Sequence, residues 1–209
     1  MKRIGNPSIF ILRGGAIGDC ILSTPAIAAL RRSFPESHIT LIGDPFSAPI
    51  FENSPDIDRL IALDRKTIPL PIYLAKLLRL RLERPALLVD LHGGARTAVQ
   101  SALIGGRRRV GWQSRKTRSF VYTDHVADPK DVHFVLRQAA LLEPLGVSLA
   151  NEDKPPRLVL LDAERAQARR LLAEAGHPPQ KPFVIMQATA GEYTRSLKQW
   201  PPERYASLA

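Results

Sequence analysis

A carboxylate set in a glycine-rich turn is the first place where this sequence could do chemistry. Gly14, Gly15, Gly18 and Asp19 follow the apolar run Ile9 to Leu12, with Arg13 between run and turn. Glycines let backbone come close to a ligand, and the free N–H groups of a helix start attract anions. An aspartate at that turn repels phosphate, so a pure phosphate cradle does not account for it. Two readings of Asp19 stand. It caps the helix that follows, a role in which Asp is favoured and contributes about 1 kcal/mol, or it is a base that takes a proton from a substrate hydroxyl. The glycine spacing, Gly-Gly-x-x-Gly, is not the Gly-x-Gly-x-x-Gly of dinucleotide sites.

Charge is the second chemical feature. The chain carries 30 basic and 20 acidic residues, a net charge of +10, which implies an anionic partner: nucleic acid, an anionic membrane surface or phosphorylated sugars. The densest basic cluster is Arg107, Arg108 and Arg109 with Arg115, Lys116 and Arg118, read either as a solvated face or as an attractor of phosphorylated lipid. Only Trp112 interrupts it, so the aromatic interleaving of a nucleic-acid groove is sparse. Lys198 stands alone in a polar stretch before Trp200-Pro201; by residue type it is a solvated charge. Cys20 is the single cysteine, which excludes a disulfide framework and a thiolate metal site and fits a reducing cytosol. The histidines His38, His92, His125, His133 and His177 have no metal-ligand spacing. The first apolar run is broken at Arg13, too short for a signal peptide, and no stretch approaches the roughly 20 apolar residues of a membrane span. We expect a soluble protein, at most peripheral on a membrane.

These residues must be placed by elements that alternate in type. Strands are expected at Ile9–Leu12, His38–Ile42, Leu60–Leu63, Ala86–Leu91 and Arg109–Trp112. Helices are expected after Asp19, over Pro71–Glu83 and Arg96–Ile104, and over Asp131–Leu145 with Asp131 as cap. Near-continuous apolar strands alternating with helices predict an α/β fold, a parallel sheet covered on both faces in the Rossmann manner. Ligands of such sheets sit at the carboxyl ends of strands, where Asp19, Asp44 and His92 fall. Asn151–Pro156 is polar and proline-bearing and reads as a linker. Beyond it we expect a helix over Asp162–Ala175 stopped by Gly176, a strand over Phe183–Gln187, and a helix opened by Pro201-Pro202. One strand and a helix start fall short of a domain, so the expected organisation is a first domain over 1–155 and an incomplete second over 156–209, the chain ending inside its last helix.

Gly18-Asp19 after an apolar strand, with a helix opening at Ser23-Thr24-Pro25-Ala26, resembles the start of glycosyltransferase family 9, the lipopolysaccharide heptosyltransferases. Arg108-Arg109-Val110-Gly111-Trp112 resembles that family's mid-domain strand, and Lys198-Gln-Trp-Pro its segment opening the second domain. The resemblance implies a two-domain GT-B enzyme that transfers heptose from ADP-heptose to the lipopolysaccharide core with inversion, at the inner face of the cytoplasmic membrane. It implies Asp19 as catalytic base, Arg13, Gly14, Gly15 and Gly18 in the loop lining the substrate cleft, and Lys198 and Thr189 at the donor diphosphate. It implies no cofactor and no catalytic metal. The spacing departs from the family at Ala190–Ser196, a longer gap before Lys198 than many members have. With most of the donor site absent, the 209 residues alone are expected to be inactive. Two other classes fit less of the sequence. A nucleotide-binding oxidoreductase would use Gly14–Gly18 for phosphate and Asp44 for a ribose, and a nucleic-acid module would use the 107–118 cluster.

Overall fold

The computed structural model describes residues 8–113, 121–151, 154–177, 182–186 and 200–208. They divide into two compact units, Met1–Leu160 and Leu161–Ala209.

The first unit is built on the short apolar runs. β1 (Ile9–Leu12), β2 (Ile39–Gly43), β3 (Arg59–Ala62), β4 (Leu87–Asp90), β5 (Arg108–Gln113) and β6 (Asp124–Ala127) form one six-stranded sheet in the order β3-β2-β1-β4-β5-β6. Every pairing is parallel, and Leu12 lies opposite both Ile42 and Asp90. Alternation sorts the side chains. Ile9, Ile11, Leu41 and Val89 enter one core layer with Ile27 and Leu30, while Phe10, Leu12 and Leu88 enter the other with Tyr73, Leu77 and Ile104. Each large side chain so buried contributes about 1.5–3 kcal/mol. The helices that cover them are α1 (Ile17–Ile21), α2 (Thr24–Ser33), α3 (Leu70–Leu82), α4 (Ala95–Ile104) and α5 (Phe134–Ala140).

Four local expectations are corrected. The helix expected from Asp19 starts two residues earlier, and Asp19 makes no cap hydrogen bond. It also breaks: the Ser23 hydroxyl donates to the Asp19 carbonyl at 2.7 Å and that of Thr24 to Ile21 at 2.8 Å, while Pro25 has no N–H with which to continue the ladder. Asp131 does not cap α5. His133 does, its Nδ1 accepting from the Val135 N–H at 3.3 Å, and Glu143–Leu145 becomes a separate 3₁₀ turn around Pro144. β6 is an edge strand absent from the expectations.

The second unit contains α6 (Asp162–Glu174), closed by Gly176 at φ +82, and α7 (Pro202–Ala206), with Pro202 at its first position. α7 closes on Ser207, short of the last residue. The strand expected over Phe183–Gln187 does not form over 182–186: Val184 and Ile185 are 92% and 80% exposed. A strand needs a neighbour to satisfy its backbone, and no described residue pairs with this segment. Trp200 meets Tyr205 edge-on at 5.4 Å.

Candidate active site at the sheet switch point

β1 is followed by a strand on one side and β4 stands on its other side, so the strand order reverses between them and their carboxyl ends open a crevice. Two turns line it: Arg13-Gly14-Gly15 after β1, leading into α1, and Leu91-His92-Gly93-Gly94 after β4, leading into α4. Arg13, Gly14, Gly15, Gly18, Asp19 and His92 are thus brought to one place.

Asp19 lies in the first turn of α1 with its side chain 53% exposed. Its carboxylate is 3.7 Å from Nη2 of Arg13, an ion pair but too long for a hydrogen bond. Arg13 itself is only 3% exposed. Its Nη1 donates to the Leu91 carbonyl at 3.2 Å, and the guanidinium lies 5.6 Å from the centre of the Phe134 ring. Nε and Nη2 have no hydrogen-bond acceptor among the described residues. Burial pulls its pKa down, opposed chiefly by Cys20 and Asp19. Arg13 therefore backs the crevice wall and does not present a free fork to solvent. Cys20 is buried behind the same wall, its thiol pushed up by burial.

The glycines set the clearances. Gly15, at φ +101, donates its N–H to Asp44 Oδ2 at 2.6 Å, and a Cβ on Gly14 would overlap that carboxylate. Asp44 Oδ1 also accepts from Ser47 N at 3.1 Å. Asp44 is engaged in tying the turn after β1. Gly18 differs: a Cβ there would meet nothing within 4 Å. His92 Nδ1 lies 3.0 Å from the Gly14 carbonyl, so in the neutral ring Nδ1 carries the proton and Nε2 is left to accept.

Residue-by-residue reading missed Asp90 and Tyr122, the groups under this floor. Asp90 is fully buried. One oxygen accepts the N–H groups of His92 and Gly93 at 3.0 and 2.9 Å, and the other accepts the Tyr122 hydroxyl at 2.6 Å. Burial raises the Asp90 pKa against those hydrogen bonds, and burial with the neighbouring carboxylate raises that of Tyr122. A charged residue closing an otherwise apolar strand, Leu87-Leu-Val-Asp90, was the available signal.

Thr189 and Lys198 lie outside the described residues, as do Arg115, Lys116 and Arg118. Arg107, Arg108 and Arg109 fall at the start of β5, the opposite end of the sheet from Asp19. No group of three or more His, Cys, Asp or Glu among the described residues is placed to hold a metal ion, and no described helix is long and apolar enough to cross a membrane.

Comparison with known proteins adds to this geometry. Residues 77–209 match the family described as glycosyltransferase family 9 (heptosyltransferase). Lipopolysaccharide heptosyltransferase 3 of Escherichia coli is 22% identical over 199 residues, which cover 91% of this chain and 56% of that protein. The crystal structure of a family 9 glycosyl transferase from Veillonella parvula superposes with a TM-score of 0.79 at 24% identity, over 99% of this chain and 60% of that one. The E. coli ADP-heptose lps heptosyltransferase II gives 0.72 at 20% identity, over 96% and 60%. The chain thus spans between half and two thirds of the length of these relatives.

Proposed function

The chain belongs to glycosyltransferase family 9, the heptosyltransferases, and on that footing we propose that it supplies the acceptor side of an inverting transferase acting on the lipopolysaccharide core. The donor in this reading is ADP-heptose or a closely related nucleotide sugar, the donor named for one similar structure. Residues 1–155 hold the acceptor, and residues from 156 onward begin the part that holds the nucleotide, with Lys198 and Thr189 near its diphosphate.

One observation carries the reading: a half-exposed carboxylate, Asp19, on a fixed turn at the switch point, beside an open approach over Gly18. Asp19 takes the proton from an acceptor hydroxyl while that oxygen bonds to the anomeric carbon. The bond from that carbon to the diphosphate oxygen breaks with inversion, and the diphosphate leaves with the electron pair. Arg13, buried and pinned by Leu91 and Phe134, stands within ion-pair range of Asp19 without competing for it at hydrogen-bond distance. Lys198 meets charge that develops on the leaving group.

Asp19→Asn tests this in a protein of full family length that carries these residues. The amide keeps the shape and loses the base, so turnover should fall about 100-fold or more. The melting temperature should fall by no more than the loss of the 3.7 Å ion pair with Arg13, because Asp19 makes no cap hydrogen bond. Near-normal turnover would assign the proton to another group, with Nε2 of His92 the next candidate.

A further inference from the structure

α3 buries Tyr73, Leu77 and Leu80 against the sheet. Its solvent side is not the polar face expected of a surface helix. Pro71, Ala75, Leu78 and Leu82 recur at four- and three-residue steps, so they form one narrow stripe, and all are exposed. Leu78 and Leu82 are 48% and 78% exposed. Lys76 and Arg79 flank the stripe on one side and Arg81 on the other, all exposed.

The stripe runs into a cavity of about 870 Å³ whose lining includes Arg81, Leu82, Arg84, Arg107 and Arg109. None of these four arginines forms an ion pair with a described residue. The nearest acid in sequence, Glu83, is taken by Arg59 at 2.6 Å. Two are aimed by backbone carbonyls: Arg81 by Ala102 and Leu103, and Arg109 by Val121 and Gly106. The cavity therefore gathers four arginines, two of them oriented by carbonyls, with no acid paired to them among the described residues. A phosphate would answer the charge, but a free phosphate has no use for two exposed leucines beside it. Apolar side chains rimmed by Lys and Arg fit the boundary between headgroups and acyl chains.

We propose that this face docks on the anionic headgroup layer of a lipid bilayer, with Leu78 and Leu82 at the acyl boundary and the arginine cavity on a lipid phosphate. The inference does not rest on the transferase reading. The cavity opens at the amino ends of β4 and β5, away from Asp19, and docking can be measured without turnover.

The test is sedimentation of the 209-residue chain with vesicles, either pure phosphatidylcholine or equal parts phosphatidylcholine and phosphatidylglycerol. Binding should require the anionic lipid. Arg84→Gln with Arg107→Gln, both exposed positions, should weaken it about thirty-fold, from two basic residues at about 1 kcal/mol each. Leu78→Gln with Leu82→Gln should abolish the fraction that survives about 0.5 M salt, where exposed charges are screened. Arg165→Gln with Arg169→Gln on α6 removes the same charge elsewhere and should change little. The proposal is overturned if the α6 pair weakens binding as much as the cavity pair, which would mean net charge alone. It is also overturned if neither the cavity pair nor the leucine pair has an effect. Finally, it is overturned if millimolar inorganic phosphate displaces the chain from vesicles while the leucine pair binds normally, the behaviour of a free-phosphate site.

Discussion

The two ends of the sheet treat arginine in opposite ways. At the carboxyl end Arg13 is almost wholly buried, held by a carbonyl, an aromatic face and a carboxylate within ion-pair range. At the amino end Arg81, Arg84, Arg107 and Arg109 ring a cavity, and none of them pairs with a carboxylate among the described residues. A buried charge must be compensated where it stands, and once compensated it fixes geometry. An exposed one costs little and stays available. The carboxyl end is built to hold a shape, and the amino end to meet something.

That contrast predicts that substitutions at the carboxyl end act on stability. Asp90→Ala should have the largest effect. It strands the Tyr122 hydroxyl and two N–H groups, each at about 1–3 kcal/mol, so a loss of 3 kcal/mol or more, roughly 10 °C in melting temperature, is expected by thermal denaturation. A loss below about 1 kcal/mol would mean that water serves those donors and the floor is not rigid. The same residue gives a pH signature. Its folded-state pKa is raised by burial, so its contribution is fullest below the ordinary carboxylate value and is lost as pH rises through the raised one. Asp90→Asn should remove that slope from urea midpoints measured from weakly acidic to weakly basic pH.

Gly93→Ala comes next. At φ +72 an added Cβ would overlap the Trp112 ring, and about 2–3 kcal/mol should be lost in urea unfolding. Gly18→Ala should be the smallest in stability and sharpens the contrast most. It has open space for a Cβ, and alanine in a helix gains up to about 1 kcal/mol over glycine. If a substrate approaches there, the stabilised variant of a full-length enzyme should nevertheless lose about tenfold or more in kcat/KM. Unchanged kinetics would move the approach path away from Gly18.

The strands that were most directly legible are those buried on both faces. Ile9–Leu12 and the apolar run ending at Asp90 read directly because nothing in them needs water. β6 did not, since Asp124-His-Val-Ala lies at an edge with only Val126 buried. The apolar run at Phe183 reads like a core strand, but hydrophobic pattern without a pairing partner does not make a ladder. In the site, the glycines and Asp19 were visible because their types are unusual at that turn. The burial of Arg13, the capture of Asp44 by Gly15 and the Asp90–Tyr122 pair were not, because each depends on which strands become neighbours.

The break between α1 and α2 has a structural consequence. α2 is rooted by Pro25 to Leu30, all buried, whereas Cys20 is the one buried side chain of α1. The hydrogen-bond ladder is interrupted between them, and the Ser23 and Thr24 hydroxyls bridge the gap to the Asp19 and Ile21 carbonyls. The turn that carries the carboxylate is thus set apart from the helix that fills the core.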